Sequence, residues 1–252
     1  MPWDSLLVVV MGSLRAIGVI MALPLPGGRG LPPAWRAALS LVCGGMLAAG
    51  SPQPTEVIVG LPDLAVAAFH EILLGLAMGL LVRAVLGTAD LAGRLIATEV
   101  GIVAAPGMDV PTPSQEPLPT FIGMFAGVLF FAFGAHHSVL AAFSQSYTIV
   151  GAGAGTLSVA ATETLVGAVS ALIEVAVRMA APFIALNFVI TLGFSVLGRA
   201  VPKMNVFILS YSLRSMVGFL LLAGAGTLLA RYMSMAFEKL PWQMLELVGT
   251  RY

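Results

Sequence analysis

Long apolar runs, broken by short polar or Pro- and Gly-rich stretches, set the pattern of the chain. The first run covers about 5–26 and is interrupted only by Arg15. It closes on Leu-Pro-Leu-Pro-Gly-Gly at 23–28, which stops a helix. A shorter run at about 34–50 follows, with Trp35 and Arg36 placed for a membrane–water boundary. A third run, about 63–87, holds His70, Glu71 and Arg83. The next segment, 88–105, carries Asp90, Arg94 and Glu99 and is too polar to face lipid, so a helix packed inside an assembly is expected there. Prolines at 106, 111, 113, 117 and 119 then make 105–118 a loop, because that density suits neither a helix nor a central strand.

Apolar runs resume at about 120–135 and 138–150, separated by His136 and His137. Gly151–Gly155 reads as a flexible turn. The stretch 158–198 is too long for one simple crossing of about 20 residues, and Pro182 is expected to divide it into a hairpin or a kinked pair. A polar break at Arg199–Asn205 precedes a last apolar run at about 206–230, and 231–252 reads as an amphipathic tail. The expected fold is therefore all-α: one polytopic membrane domain over 1–252 built from helical hairpins. It comprises N-terminal hairpins over 1–135, C-terminal hairpins over 136–230, and the tail. The opening Met-Pro-Trp-Asp has no basic residue ahead of the apolar run, so residues 1–26 are taken as a structural span rather than a signal peptide.

Composition agrees with a membrane protein. Of the 252 residues 59% are hydrophobic and 10% charged, and the mean hydropathy is +1.00. Twelve basic and twelve acidic residues balance, which leaves no electrostatic footprint for nucleic acid. The single cysteine, Cys43, lies in an apolar run and reads as a small packed side chain. Basic residues gather around 29–36, 83–94 and 199–203, whereas 51–62 and 106–117 contain none, so the basic loops are expected on the cytoplasmic side and the N-terminus outside. The number of crossings stays open.

Chemistry is sparse. The chain has no HExxH, no GxSxG elbow, no phosphate-binding P-loop and no Cys/His cluster, so no catalytic set, metal centre or cofactor is expected. Neighbouring histidines on a helix point about 100° apart, which assigns His136 and His137 a helix-end or interfacial role. Arg15, His70, Glu71, Arg83, Glu174 and Arg178 all lie inside apolar runs, where an unpaired charge facing lipid is expensive. Glu174 and Arg178 are four apart and are expected to form a buried ion pair. Gly75 with Gly79, and Gly123 with Gly127, form small-residue faces that allow close helix approach within the chain or against partner helices.

Four segments, in order, resemble the FliR/SctT family. FHEILLGLAMGL at 69–80 is similar to its Arg-Glu stretch followed by Gly-x-x-x-Gly, with Glu71, Gly75 and Gly79 in register and His70 in place of Arg. ADLAGRLIATEVGI at 89–102, containing Gly93, resembles the helix that follows, and GAHHSVLAAFSQSY at 134–147 a later segment. The core LGRAVPKMNVF is similar to the family's Ser-Arg-x-x-Pro-Gln-x-Asn-x-Phe, with Arg199, Pro202, Asn205 and Phe207 in register. Lys203 replaces the usual Gln, and further on Ser212 stands where Pro is common.

The resemblance runs from the first span to residue 230, and no appended export-switch domain is expected. It implies a non-enzymatic subunit of the core export gate of a flagellar type III apparatus, multi-pass in the bacterial inner membrane at the flagellar basal body. FliP/SctR-type and FliQ/SctS-type subunits would join it in a spiral hetero-oligomer through which unfolded export substrates pass. FlhB/SctU-type and FlhA/SctV-type components are further expected partners. The loop 105–118, with Pro106, Gly107, Met108, Asp109, Val110, Pro111, Thr112 and Pro113, aligns with the family's channel plug. Irregular backbone at membrane depth is tolerated only inside protein or beside water. The equivalent subunit of a virulence-type injectisome is the alternative, followed by a small-solute secondary transporter, which would require an internal repeat not found here. An intramembrane enzyme built on His136 and His137 leaves the four ordered segments unexplained.

Overall fold

The computed structural model describes residues 2–22, 32–50, 60–102, 117–155, 159–201 and 205–249. These residues form α1 (Pro2–Ala22), α2 (Pro33–Ala49), α3 (Leu61–Val100), α4 (Pro117–Ala132), α5 (Ala135–Ile149), α6 (Val159–Ala200), α7 (Val206–Gly224) and α8 (Gly226–Glu246), with no strand among them. The all-α polytopic expectation holds. By length and composition α3 and α6 can each cross a membrane, and the count rises to four if each broken pair, α4/α5 and α7/α8, is one span.

Two expected breaks are absent. The third run and the polar segment behind it are one 40-residue helix, α3. Gly87 alone costs a helix only about 1 kcal/mol, and buried Val85, Thr88, Ala89 and Ala92 carry the packed face straight past it. Pro182 likewise does not divide 158–198, because α6 continues through it for 42 residues. Proline removes one backbone hydrogen bond, and Met179, Ala180 and Phe183, all buried around it, supply the packing that keeps the helix whole. The helix breaks that do occur fall at Gly134, whose φ of 69° favours glycine, and at Ala225. The last helix also begins earlier than the expected tail. Its buried residues Met233, Phe237, Leu240 and Met244 recur at helical spacing, opposite exposed Arg231, Glu238 and Lys239.

The chain divides into two packed units. Unit 1 comprises Met1–Val85, Phe130–Ser170 and Ala236–Tyr252, and unit 2 comprises Leu86–Leu129 and Ala171–Met235. In unit 1, α1 lies against α2 through small residues. A Cβ on Gly12 would come within 2.3 Å of the Ala48 Cβ, and one on Gly44 within 2.6 Å of the Gly12 carbonyl oxygen. The crossing of α1 and α3 is closer still, since a Cβ on Gly18 would sit 2.1 Å from the Gly75 carbonyl carbon and one on Gly75 2.1 Å from the Arg15 oxygen. In unit 2, Gly93 of α3 admits Pro119 of α4 in the same way, with 2.7 Å from its would-be Cβ to the proline Cα.

Candidate functional site

The close crossing of α1 and α3 in unit 1 brings two charged residues together inside the protein. Arg15 sits one turn from Gly18 and Glu71 one turn from Gly75, and both side chains are 0% exposed. Arg15 Nε donates to Glu71 Oε2 at 2.6 Å and Nη2 donates to Oε1 at 2.8 Å, a two-pronged pairing. The remaining guanidinium donors are also occupied. Nη1 donates to Ser146 Oγ at 3.2 Å and to the Val150 carbonyl at 3.1 Å, and Nη2 reaches the Gly151 carbonyl at 3.4 Å. All five N–H groups of the arginine thus have acceptors. Its guanidinium carbon lies 4.4 Å from the centre of the Tyr147 ring, and the Tyr147 hydroxyl donates to the Gly12 carbonyl at 2.6 Å.

Glu71 works in the opposite sense. Its Oε1 accepts the backbone N–H of Gly153 at 2.9 Å and of Gly155 at 3.2 Å. The stretch Gly151–Gly155 is therefore a pinned turn rather than a free one. Glycine is needed in it for two reasons: Gly153 has φ of +92°, and a Cβ on Gly155 would lie 2.9 Å from Glu71 Oε1. The pair joins α1, α3, α5 and the turn before α6 at one point. A buried charge this fully bonded is tolerable where an isolated one is not.

In unit 2 the polar groups gather at the end of α3. Gly101, with φ of +82°, closes the helix, and the Ile102 N–H bonds the Ala97 carbonyl at 3.0 Å. Side chains of α7 reach the last carbonyls: Ser215 Oγ donates to Val100 at 3.0 Å, and the Tyr211 hydroxyl donates to Gly101. From α6, the Asn187 amide donates to Glu99, and Thr191 accepts from Arg214 at 3.4 Å. Residue 102 and Pro117, the two described residues that flank 103–116, both belong to unit 2.

The profile of the family described as "Bacterial export proteins, family 1" matches residues 6–240. The chain belongs to that family. Its relatives include the flagellar biosynthetic protein FliR of Bacillus subtilis, 24% identical over 213 residues, covering 83% of this chain and 82% of that one. FliR of Caulobacter vibrioides is 27% identical over 217 residues, covering 83% and 84%. The Yop proteins translocation protein T of Yersinia pestis is 27% identical over 158 residues, covering 60% and 59%. The chain is thus a component of bacterial export and not an enzyme, and its apolar helices make it a membrane protein.

The residues that carry the resemblance to the export family are spread over both units. Glu71 and Gly75 meet where α1 crosses α3, at the clasp formed by the Arg15–Glu71 pair, and Gly79 is buried one turn further along α3. Gly93 packs on α4. Arg199 is exposed near the end of α6, Asn205 caps α7 by accepting the Ile208 N–H at 3.4 Å, and Phe207 lies in the first turn of that helix. Pro202 and the loop residues Pro106 to Pro113 lie outside the described residues. Glu174 and Arg178 pair at 2.6 Å as their spacing requires, but 61% of each side chain is exposed in this chain, which corrects the expectation of burial. The reason is local: at helical spacing both lie on the side of α6 opposite its buried face of Leu172, Ala176, Met179, Ala180 and Phe183.

Sequence reasoning singled out Arg15 as a charge that needed a partner but did not pair it with Glu71. The usable signal was that both interrupt apolar runs and each has a glycine at short helical spacing behind it. The rings of His136 and His137 lie against each other, centres 4.0 Å apart and planes tilted by 41°, and His136 lies 5.1 Å from the Phe131 ring. Among the described residues no group of three His, Cys, Asp or Glu side chains could hold a metal ion.

Proposed function

We propose that this export protein is a subunit of the core gate of a flagellar type III export apparatus. With FliP- and FliQ-type subunits it forms the channel for unfolded substrates across the bacterial inner membrane at the flagellar basal body. The observation that carries this reading is the family match over residues 6–240. Four of the relatives named FliR align over 83–93% of this chain, against 60% for the Yersinia translocation protein, which favours the flagellar system. That second relationship also supports the injectisome counterpart as the alternative reading. The bare face of α6 is consistent with a chain that finishes its packing against partner helices and lipid.

Within this reading the segment expected as a loop over 105–118 is the channel plug, except that Pro117 and Leu118 belong to the first turn of α4, where proline is tolerated. Unit 2 supplies its footing at Gly101 and Pro119. Deleting 107–116 leaves the assembly intact but makes the membrane leaky to small ions, and unchanged permeability would reject the plug. The test of the whole proposal is purification in mild detergent after co-expression with FliP- and FliQ-type subunits, read by native mass spectrometry. One copy of this chain with several copies of the two others supports it. A stable monomer or homodimer, with flagellar export unaffected by loss of the chain, rejects it.

A further inference from the structure

The outward face of α3 changes character part-way along. Val66, Phe69, Ile72, Leu76 and Leu80 recur every three or four residues and are all exposed. Continued at the same spacing, that row reaches Arg83, Gly87, Asp90, Arg94 and Thr98. Arg83, Asp90, Arg94 and Thr98 are exposed, whereas no large apolar side chain of α3 beyond Leu80 is. The opposite face stays buried throughout, from Leu74 and Met78 to Ala92 and Ile96, and between them Thr88 is its one polar side chain. At about 1.5 Å per residue, a 40-residue helix is about 60 Å long, roughly twice the hydrocarbon thickness of a bilayer. One half of the row suits an apolar surrounding and the other does not.

We infer that the Asp90–Thr98 face of α3 forms part of the water-filled wall of the export path, whereas the Val66–Leu80 face meets lipid or apolar partner surface. The inference rests on the proposed gate function and names where the path touches this chain. A charged face turned to hydrocarbon is costly, so that half of the row requires water or a polar partner. Its chemistry suits a wall for unfolded polypeptide. Asp90 and Arg94 are opposite charges one turn apart, so the wall has no net charge to hold a passing segment of either sign. It also offers no large apolar side chain to which an unfolded segment could adhere.

The experiment is thiol labelling with a charged, membrane-impermeant methanethiosulfonate in vesicles that carry the assembled complex. Cys43→Ala supplies the background, and single probes are Gly87→Cys, Asp90→Cys, Arg94→Cys and Thr98→Cys against Phe69→Cys, Leu76→Cys and Leu80→Cys. Gly87→Cys is the mildest probe, since nothing lies within 4 Å of a Cβ there. Recovery of each variant in the complex is checked first.

The expected result is labelling at the first four positions at least about tenfold faster than at the last three, because the charged reagent is excluded from hydrocarbon. An export substrate arrested in the path by a tightly folded fusion should slow labelling at 90, 94 and 98 several-fold. Unreactive thiols at these positions would mean that a polar partner surface covers the face, and would overturn the inference. So would labelling that an arrested substrate leaves unchanged. Failure of the gate reading itself would show differently, as export that persists when the chain is deleted.

Discussion

Replacing Glu71 by glutamine tests the clasp with almost no change in shape. The amide oxygen can take the position of Oε1 and keep its bonds to Gly153, Gly155 and Arg15 Nη2. Its NH2 then faces Arg15 Nε, 2.6 Å away in the native pair, and two donors oppose each other. More importantly, the arginine keeps its charge at 0% exposure with no counter-charge. Breaking one side of a buried pair costs about 3–5 kcal/mol, a large share of the roughly 5–15 kcal/mol that holds a typical protein together. For a chain of this size each kcal/mol corresponds to about 2–4 °C, so the melting temperature in detergent should fall by about 6–20 °C.

The reversed pair, Arg15→Glu with Glu71→Arg, separates an oriented junction from simple charge attraction. A carboxylate at 15 would face the Val150 and Gly151 carbonyls, and a guanidinium at 71 would face the Gly153 and Gly155 N–H groups. Every backbone contact then has the wrong polarity, so the double variant should melt no higher than Glu71→Gln. A melting temperature close to wild type for the reversed pair would refute this reasoning and leave only a generic ion pair. The assay is a thermal melt of the purified chain followed by size-exclusion chromatography.

Three other outcomes are expected. Gly75→Ala should destabilise by about 1–3 kcal/mol or more, because its Cβ meets the Arg15 carbonyl oxygen at 2.1 Å, while Gly87→Ala, with open space, should be neutral or stabilising; parallel melts compare them. Glu174→Gln should change the melting of the isolated chain by less than about 1 kcal/mol, since an exposed i, i+4 pair contributes little. Tyr211→Phe removes the hydroxyl bonded to the Gly101 carbonyl, about 1 kcal/mol, and should speed hydrogen exchange at the Gly101 and Ile102 amides by about fivefold.

Much of this protein is written locally. The apolar runs give the helices to within a few residues, because backbone hydrogen bonds must be satisfied within the segment wherever water is absent. The motif segments around Glu71, Gly93 and Asn205 led to the export family, and the family profile bears this out. The Glu174–Arg178 pair was visible because a helix places residues four apart side by side. Local signals also misled. The change from an apolar run to a polar segment after residue 87, and Pro182, read as divisions, yet packing of the residues around them holds α3 and α6 continuous.

Tertiary structure alone decided what lies far apart in sequence. Arg15 meets Glu71 across 56 positions only because two glycines let α1 and α3 approach to backbone contact, and no spacing rule encodes that crossing. It decided equally that Glu71 would pin the turn at Gly153 and Gly155. It also left Glu174 and Arg178 uncovered within the chain itself. A charge in an apolar run announces that it needs a partner, but which partner is fixed by how the helices pack.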